Sequence, residues 1–155
     1  MARTRVLMLC LLALAVLVSG CGSSPREVTK AQYQQELERV GKAASDAGSE
    51  LGRSIDIATF NGNVDKFQDT LRDAAGDLDG LEPPANVRDV NDQFADSLRE
   101  FADEMDAVKD ARRQSIIKAR DALGIVARSE AVKNARAAIR ELEQKGYNVP
   151  SLSAL

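Results

Sequence analysis

The chain has no histidine and no tryptophan, and both of its cysteines fall within the first 21 residues. Without histidine it lacks the side chain most used for proton transfer near neutral pH and for holding transition metals. That excludes a Ser-His-Asp triad and the Glu-x-x-His pairs of a di-iron bundle. With cysteine confined to Cys10 and Cys21, residues 22–155 offer no disulfide and no thiolate chemistry. Aromatics make up only 4% of the 155 residues. A haem would have to use Met105 or a tyrosine, an improbable arrangement. Glycine-rich phosphate loops are absent. The segment from Asp77 to Glu82 has acids and a glycine, but Gly80 comes too early for a calcium loop and Pro83-Pro84 interrupts it. The residues therefore point to no metal, no cofactor and no enzyme.

What is present is alanine, leucine, acids and arginine, a composition that favours helix. Charge is unevenly spread. Residues 22–108 carry 9 basic and 19 acidic side chains, whereas residues 109–155 carry 10 and 5. Two consequences are open. The acidic helices can pair with the basic C-terminal region inside the domain. Alternatively, the stretch Lys109, Arg112, Arg113, Lys118 and Arg120 can contact an anionic surface, such as lipid headgroups or a wall polymer beside the membrane. Acids recurring at Asp65, Asp69, Asp73 and Asp77 read as a solvated helix face. Nucleic acid is not an expected partner.

The N-terminus has its own pattern. Arg3 and Arg5 precede an apolar run of 13 residues, Val6 to Val18. A membrane span needs about 20 such residues, so this run has the length of a signal sequence. It ends in Val18-Ser19-Gly20-Cys21, followed by Gly22-Ser23-Ser24. That segment resembles the lipobox of bacterial lipoproteins. The resemblance implies cleavage between Gly20 and Cys21, a diacylglyceryl group on the Cys21 sulfur, and a lipid-anchored location on the extracytoplasmic side of the cell membrane. Two acyl chains suffice for stable anchoring where one does not. The expected division is a signal over 1–20, the acylated cysteine and a short tether over 21–28, a helical bundle over 29–147 and a tail over 148–155. The tether from Gly22 to Glu27 reaches at most roughly 20 Å.

Helical periodicity fills the rest. Thr29, with Gln32 three residues on, forms a capping box. Tyr33, Leu37, Val40, Ala44, Ala47, Leu51 and Ile55 then recur at steps of three and four. Phe60-Asn61-Gly62-Asn63 is expected to end this helix in a turn, with Asn63 capping the next. The second stripe is Val64, Phe67, Leu71, Ala74, Leu78 and Leu81, stopped by Gly80 and Pro83-Pro84. A third runs from Val87 through Val90, Phe94, Leu98, Phe101 and Met105 to Val108, after which the register decays. A straight helix over 85–123 would be about 58 Å long, so a break between 110 and 116 is expected. Ser129 caps a last helix with Val132, Ala135, Ile139 and Leu142 on its face, ended by Lys145-Gly146. The fold class is all-α, an up-and-down bundle of about four helices.

The joint from Leu78 to Val87, with Pro83-Pro84 at its centre, and the run Ile139 to Tyr147 are similar to segments of small helical lipoproteins of high-GC Gram-positive bacteria. The likeness implies a fold and a location, since its motifs are helix punctuation. Three functions are then in competition. The first is a non-catalytic envelope protein that binds a protein or envelope component. The second is a carrier of an apolar ligand, in a cavity left by the small residues of the first helix. The third, least supported, is an enzyme. A tight core with an exposed apolar patch would favour partner binding, and a large apolar pocket would favour the carrier.

Overall fold

The computed structural model describes residues 26–149. The expectations for the leader, the Gly20–Cys21 cleavage point, Cys21 itself, the start of the tether and residues 150–155 lie outside the described residues. Five α-helices follow one another: α1 (Lys30–Gly52), α2 (Ile57–Asp79), α3 (Arg88–Arg112), α4 (Ile116–Val126) and α5 (Glu130–Gln144). A 3₁₀ turn, Ala85–Val87, follows Pro84 and leads into α3. The class is all-α.

Four of the five helices start where a short polar side chain satisfies an orphan N–H; α3 has no such side chain and follows directly on the 3₁₀ turn. Thr29 and Gln32 form the reciprocal capping box of α1. Ser115 accepts from the Lys118 N–H at 3.2 Å, and Ser129 from the Val132 N–H at 3.4 Å. The α3 helix ends at Arg112 and α4 begins at Ile116, which is the expected break.

The first turn differs from expectation. The sequence reading puts it at Asn61-Gly62, but the chain turns at Arg53–Asp56, and Asn61-Gly62 lies inside α2. Asp56 is the cap, accepting from the Thr59 N–H at 2.9 Å and the Thr59 hydroxyl at 2.7 Å. Asn63 caps nothing in α2. Its amide donates to the Glu50 carbonyl at 3.0 Å and to Ser54 Oγ at 2.9 Å, binding the end of α1 to the face of α2. An earlier turn also moves Ile55 out of the core stripe; it is 91% exposed. The other stripe residues expected for α1, α2, α3 and α5 are buried.

Ion pairs fix the directions. Arg39 meets Asp77 and Glu50 meets Lys66, so α1 and α2 are antiparallel. Arg99 meets Asp79 and Lys109 meets Asp65, so α2 and α3 are antiparallel too. The α3 helix packs on α2, α4 and α5. It buries a second line of small and polar residues, Asn91, Ala95 and Ala102, beside its main stripe.

One end of the bundle is closed around Tyr33. Its ring is fully buried, and its hydroxyl donates to Asn91 Oδ1 at 2.9 Å. The Asn91 amide reaches the Leu78 carbonyl at 3.4 Å. Tyr147, beyond α5, meets Tyr33 edge-on with centroids 5.3 Å apart. Gln34 pairs with the Asn148 backbone in both directions, at 2.6 and 2.8 Å. At the same end Arg26–Glu27 forms a two-residue parallel ladder with Leu81–Glu82. Val28 and Val149 are buried. The packed body is therefore wider than the expected 29–147, because the last tether residues and the first tail residues are part of it.

Burial, the neighbouring Tyr147 and the charge of Asp92 hold the Tyr33 hydroxyl well above the ordinary tyrosine range. The stability tied to its neutral form is complete below about pH 10 and is lost as pH rises further. Tyr33→Phe should cost about 1–3 kcal/mol at pH 7, since Asn91 loses a buried donor. It should also flatten the loss of thermal stability between pH 9 and 11, followed by circular dichroism. At Gly62 nothing stands within 4 Å of an added Cβ. Gly62→Ala should therefore raise stability by about 1 kcal/mol in denaturant titrations; a turn glycine would give the opposite sign.

Candidate functional site

The five basic residues singled out by sequence do not form one outward face. Lys109 and Arg112, in the last turns of α3, both turn to Asp65 of α2, at 3.0 and 3.4 Å. Arg112 also donates to the Asn61 carbonyl at 3.1 Å. Arg120 of α4 donates to the Ser54 carbonyl at 3.0 Å and so ties α4 to the α1–α2 turn. Arg113 pairs only with its own neighbour Asp110, at 3.3 Å, and both are largely exposed. Lys118 projects from the first turn of α4 and is exposed. Three of the five thus serve the fold, and two face solvent.

Asp65 is where acidic and basic segments meet. Partial burial pulls its carboxyl up, but the Lys109 hydrogen bond and the charges of Arg112 and Lys109 outweigh this and hold it below the usual aspartate range. The remaining pairs between helices, such as Arg72–Asp103 at 3.0 Å, are exposed and worth about 0–1 kcal/mol each. They neutralise the acidic faces of α2 and α3 more than they hold the bundle.

Two surface grooves are open to solvent and mix carboxylates with apolar side chains. One of about 350 Å³ lies between α3 and α5, with Asp96, Glu100 and Asn134 on its walls. Another, of about 400 Å³, has Asp79, Glu82, Asp92 and Arg88. Neither offers an apolar ligand an enclosing wall. The small face of α1 leaves no space at Gly48, because a Cβ there would already meet the Phe67 ring at 3.4 Å. Phe67 itself meets Phe101 edge-on at 5.4 Å. Gln68 is fully buried and donates to the Ala102 carbonyl at 2.7 Å and to Asp106 at 3.0 Å. Its own carbonyl oxygen has no partner. Among the described residues no group of three His, Cys, Asp or Glu side chains could hold a metal ion, and no helix is long and apolar enough to cross a membrane.

Ser115-Ile-Ile-Lys118 has the spacing of a Ser-Lys nucleophile pair. Here the hydroxyl oxygen is occupied as the cap of α4, accepting from the Lys118 N–H, and the lysine side chain is exposed.

The feature that sequence reading missed is apolar. At the end opposite Tyr33, four isoleucines face water: Ile55 at 91%, Ile117 at 70%, Ile125 at 68% and Ile57 at 45% exposure. The α4 helix is apolar on two sides. Ala119 and Val126 are buried in the bundle, and Ile116, Ala122 and Leu123 pack against it, while Ile117 and Ile125 point away. The available signal was the run Ile116-Ile117 beside the decayed register, where one isoleucine exceeds what one packing face can take.

No family model, no curated protein and no solved structure matches the chain.

Asp65→Asn should cost about 1 kcal/mol at pH 7, leaving two half-buried cations side by side. A carboxylate with a depressed folded pKa stabilises above about pH 4 and stops doing so as pH falls further. The acid limb of the stability–pH curve should accordingly be shallower in this variant, as read by urea denaturation from pH 7 to 3.

Proposed function

We propose that the chain is a cell-envelope lipoprotein, held on the extracytoplasmic face of the membrane by acylated Cys21, whose helical body is a non-catalytic docking domain. The observation that carries the reading is Val18-Ser19-Gly20-Cys21 at the end of a 13-residue apolar run. The tether adds support. Since Arg26–Glu27 is fixed in a ladder with Leu81–Glu82, only residues 22–25 separate Cys21 from the packed body, a reach of about 14 Å. In this reading the Tyr33 end sits next to the bilayer.

The docking part rests on what the surface offers. The grooves between helices are open and carry carboxylates among their lining residues, and an open, partly charged wall is a poor seat for an apolar cargo. The apolar surface that a partner can bury is concentrated at the end away from the tether. An exposed apolar cluster of that kind is the usual mark of an interaction site. The partner in this reading is a protein or another envelope component.

Replacement Cys21→Ser in the full chain removes the acyl acceptor. The variant should leave the membrane fraction after a carbonate wash, and the intact mass of the parent should show loss of residues 1–20 and a gain of acyl groups. A Cys21→Ser variant that stays in washed membranes would overturn the anchor.

A further inference from the structure

We propose that the end of the bundle remote from the tether is a second membrane contact, in which the exposed isoleucines enter the interface of an anionic phospholipid bilayer and the cations around them meet its phosphates. This deepens the docking reading above by naming its partner, and it does not depend on the anchor.

The α1–α2 turn and α4 are neighbours at this end. The Arg120 hydrogen bond to the Ser54 carbonyl sets α4 beside the α1–α2 turn. Ile117 lies one turn before Arg120, and Ile55 directly follows Ser54. On α4, Ile117 and Ile125 are separated by about 12 Å and about 80° of rotation, so they share one broad side. The charges present are mostly positive. From Asp110 to Arg128 there are five basic residues and two acids, Asp110 and Asp121, with Arg113 paired to Asp110 and Arg112 turned to Asp65. Arg113 and Lys118 are exposed, and the Arg128 guanidinium lies 3.9 Å from where a Gly124 Cβ would stand, folded back along α4. Asp56, the acid in the neighbouring turn, is exposed and stays ionised as the cap of α2, so it subtracts one charge from the patch.

Charge selects the occupant. A second copy of this end would bring like charges together, which disfavours self-association. A purely polyanionic partner would use the cations and leave the isoleucines in water. Short apolar helices edged by lysine and arginine suit the headgroup region, where acyl chains take the apolar side chains and anionic lipids the charges. The α1 helix alone is about 34 Å long. Contact at this end therefore requires the body to lie along the anchoring membrane or to span to another.

The test uses the unlipidated chain from Gly22, which retains every described buried side chain, from Val28 to Val149. The probes are vesicles of phosphatidylglycerol or phosphatidylcholine, read by co-sedimentation. Binding should favour phosphatidylglycerol at least about tenfold and weaken with salt. Ile117→Asn with Ile125→Asn should lower it at least about tenfold, as should Arg113→Glu with Lys118→Glu. Asp121→Lys should strengthen it. All five positions are exposed, and unchanged circular dichroism verifies the fold. Three results overturn the proposal. They are no binding to either vesicle, binding that survives loss of the isoleucines, and a lipid-free dimer that the isoleucine variant dissociates. The first leaves the anchor standing, because membrane release of Cys21→Ser tests that separately.

Discussion

Four segments that are far apart in sequence meet at the hydroxyl and ring of Tyr33. The ring takes Tyr147 edge-on, and the hydroxyl bonds Asn91, whose amide reaches the Leu78 carbonyl. A buried polar network is costly unless its members are paired, so this arrangement admits one register of α1 against α2, α3 and the segment after α5. The Gln34–Asn148 pair and the Arg26–Glu27 ladder then fasten the two chain ends to the same place. The packed body thereby includes residues on both sides of the helical core.

The opposite end is built differently. There the short α4 packs on α3 through Ala119 and Val126, Arg120 ties it to the Ser54 carbonyl, and Lys109 and Arg112 of α3 meet Asp65. The bundle is thus asymmetric along its length. One end is closed by aromatic packing and buried hydrogen bonds, and the other by ion pairs and a helix with an unburied apolar side. Such division suits the docking role proposed above, in which the tether leaves from the closed end and contacts form at the open one.

Charge separation along the chain gives only part of its expected result. Asp65 draws two of the C-terminal cations inward, and Arg39, Arg72 and Arg99 answer Asp77, Asp103 and Asp79 from neighbouring helices. Of the basic run, Lys118 faces water and Arg113 meets only the exposed Asp110. A basic run identified by composition alone does not distinguish an arginine that bonds a backbone carbonyl from one that faces water.

Helix content, the capping residues Thr29 and Ser129, the break after Arg112 and nearly all of the core stripes were legible in the sequence. These follow from local chemistry, namely which side chain can accept from a free N–H and which face repeats every three or four residues. The N-terminal motif is equally local, being an ordered string of small and aliphatic residues before one sulfur. The tertiary structure alone decided the rest. Asn61-Gly62 is a good turn on its own, but Asp56 caps a helix earlier and Asn63 is taken up by the end of α1, so the turn shifts and Ile55 is left in solvent. Likewise, whether Ile117 is core or surface depends on how many neighbours α4 has, and α3 covers only one of its sides. Periodicity identifies which faces are apolar, and only packing determines which of them has something to pack against.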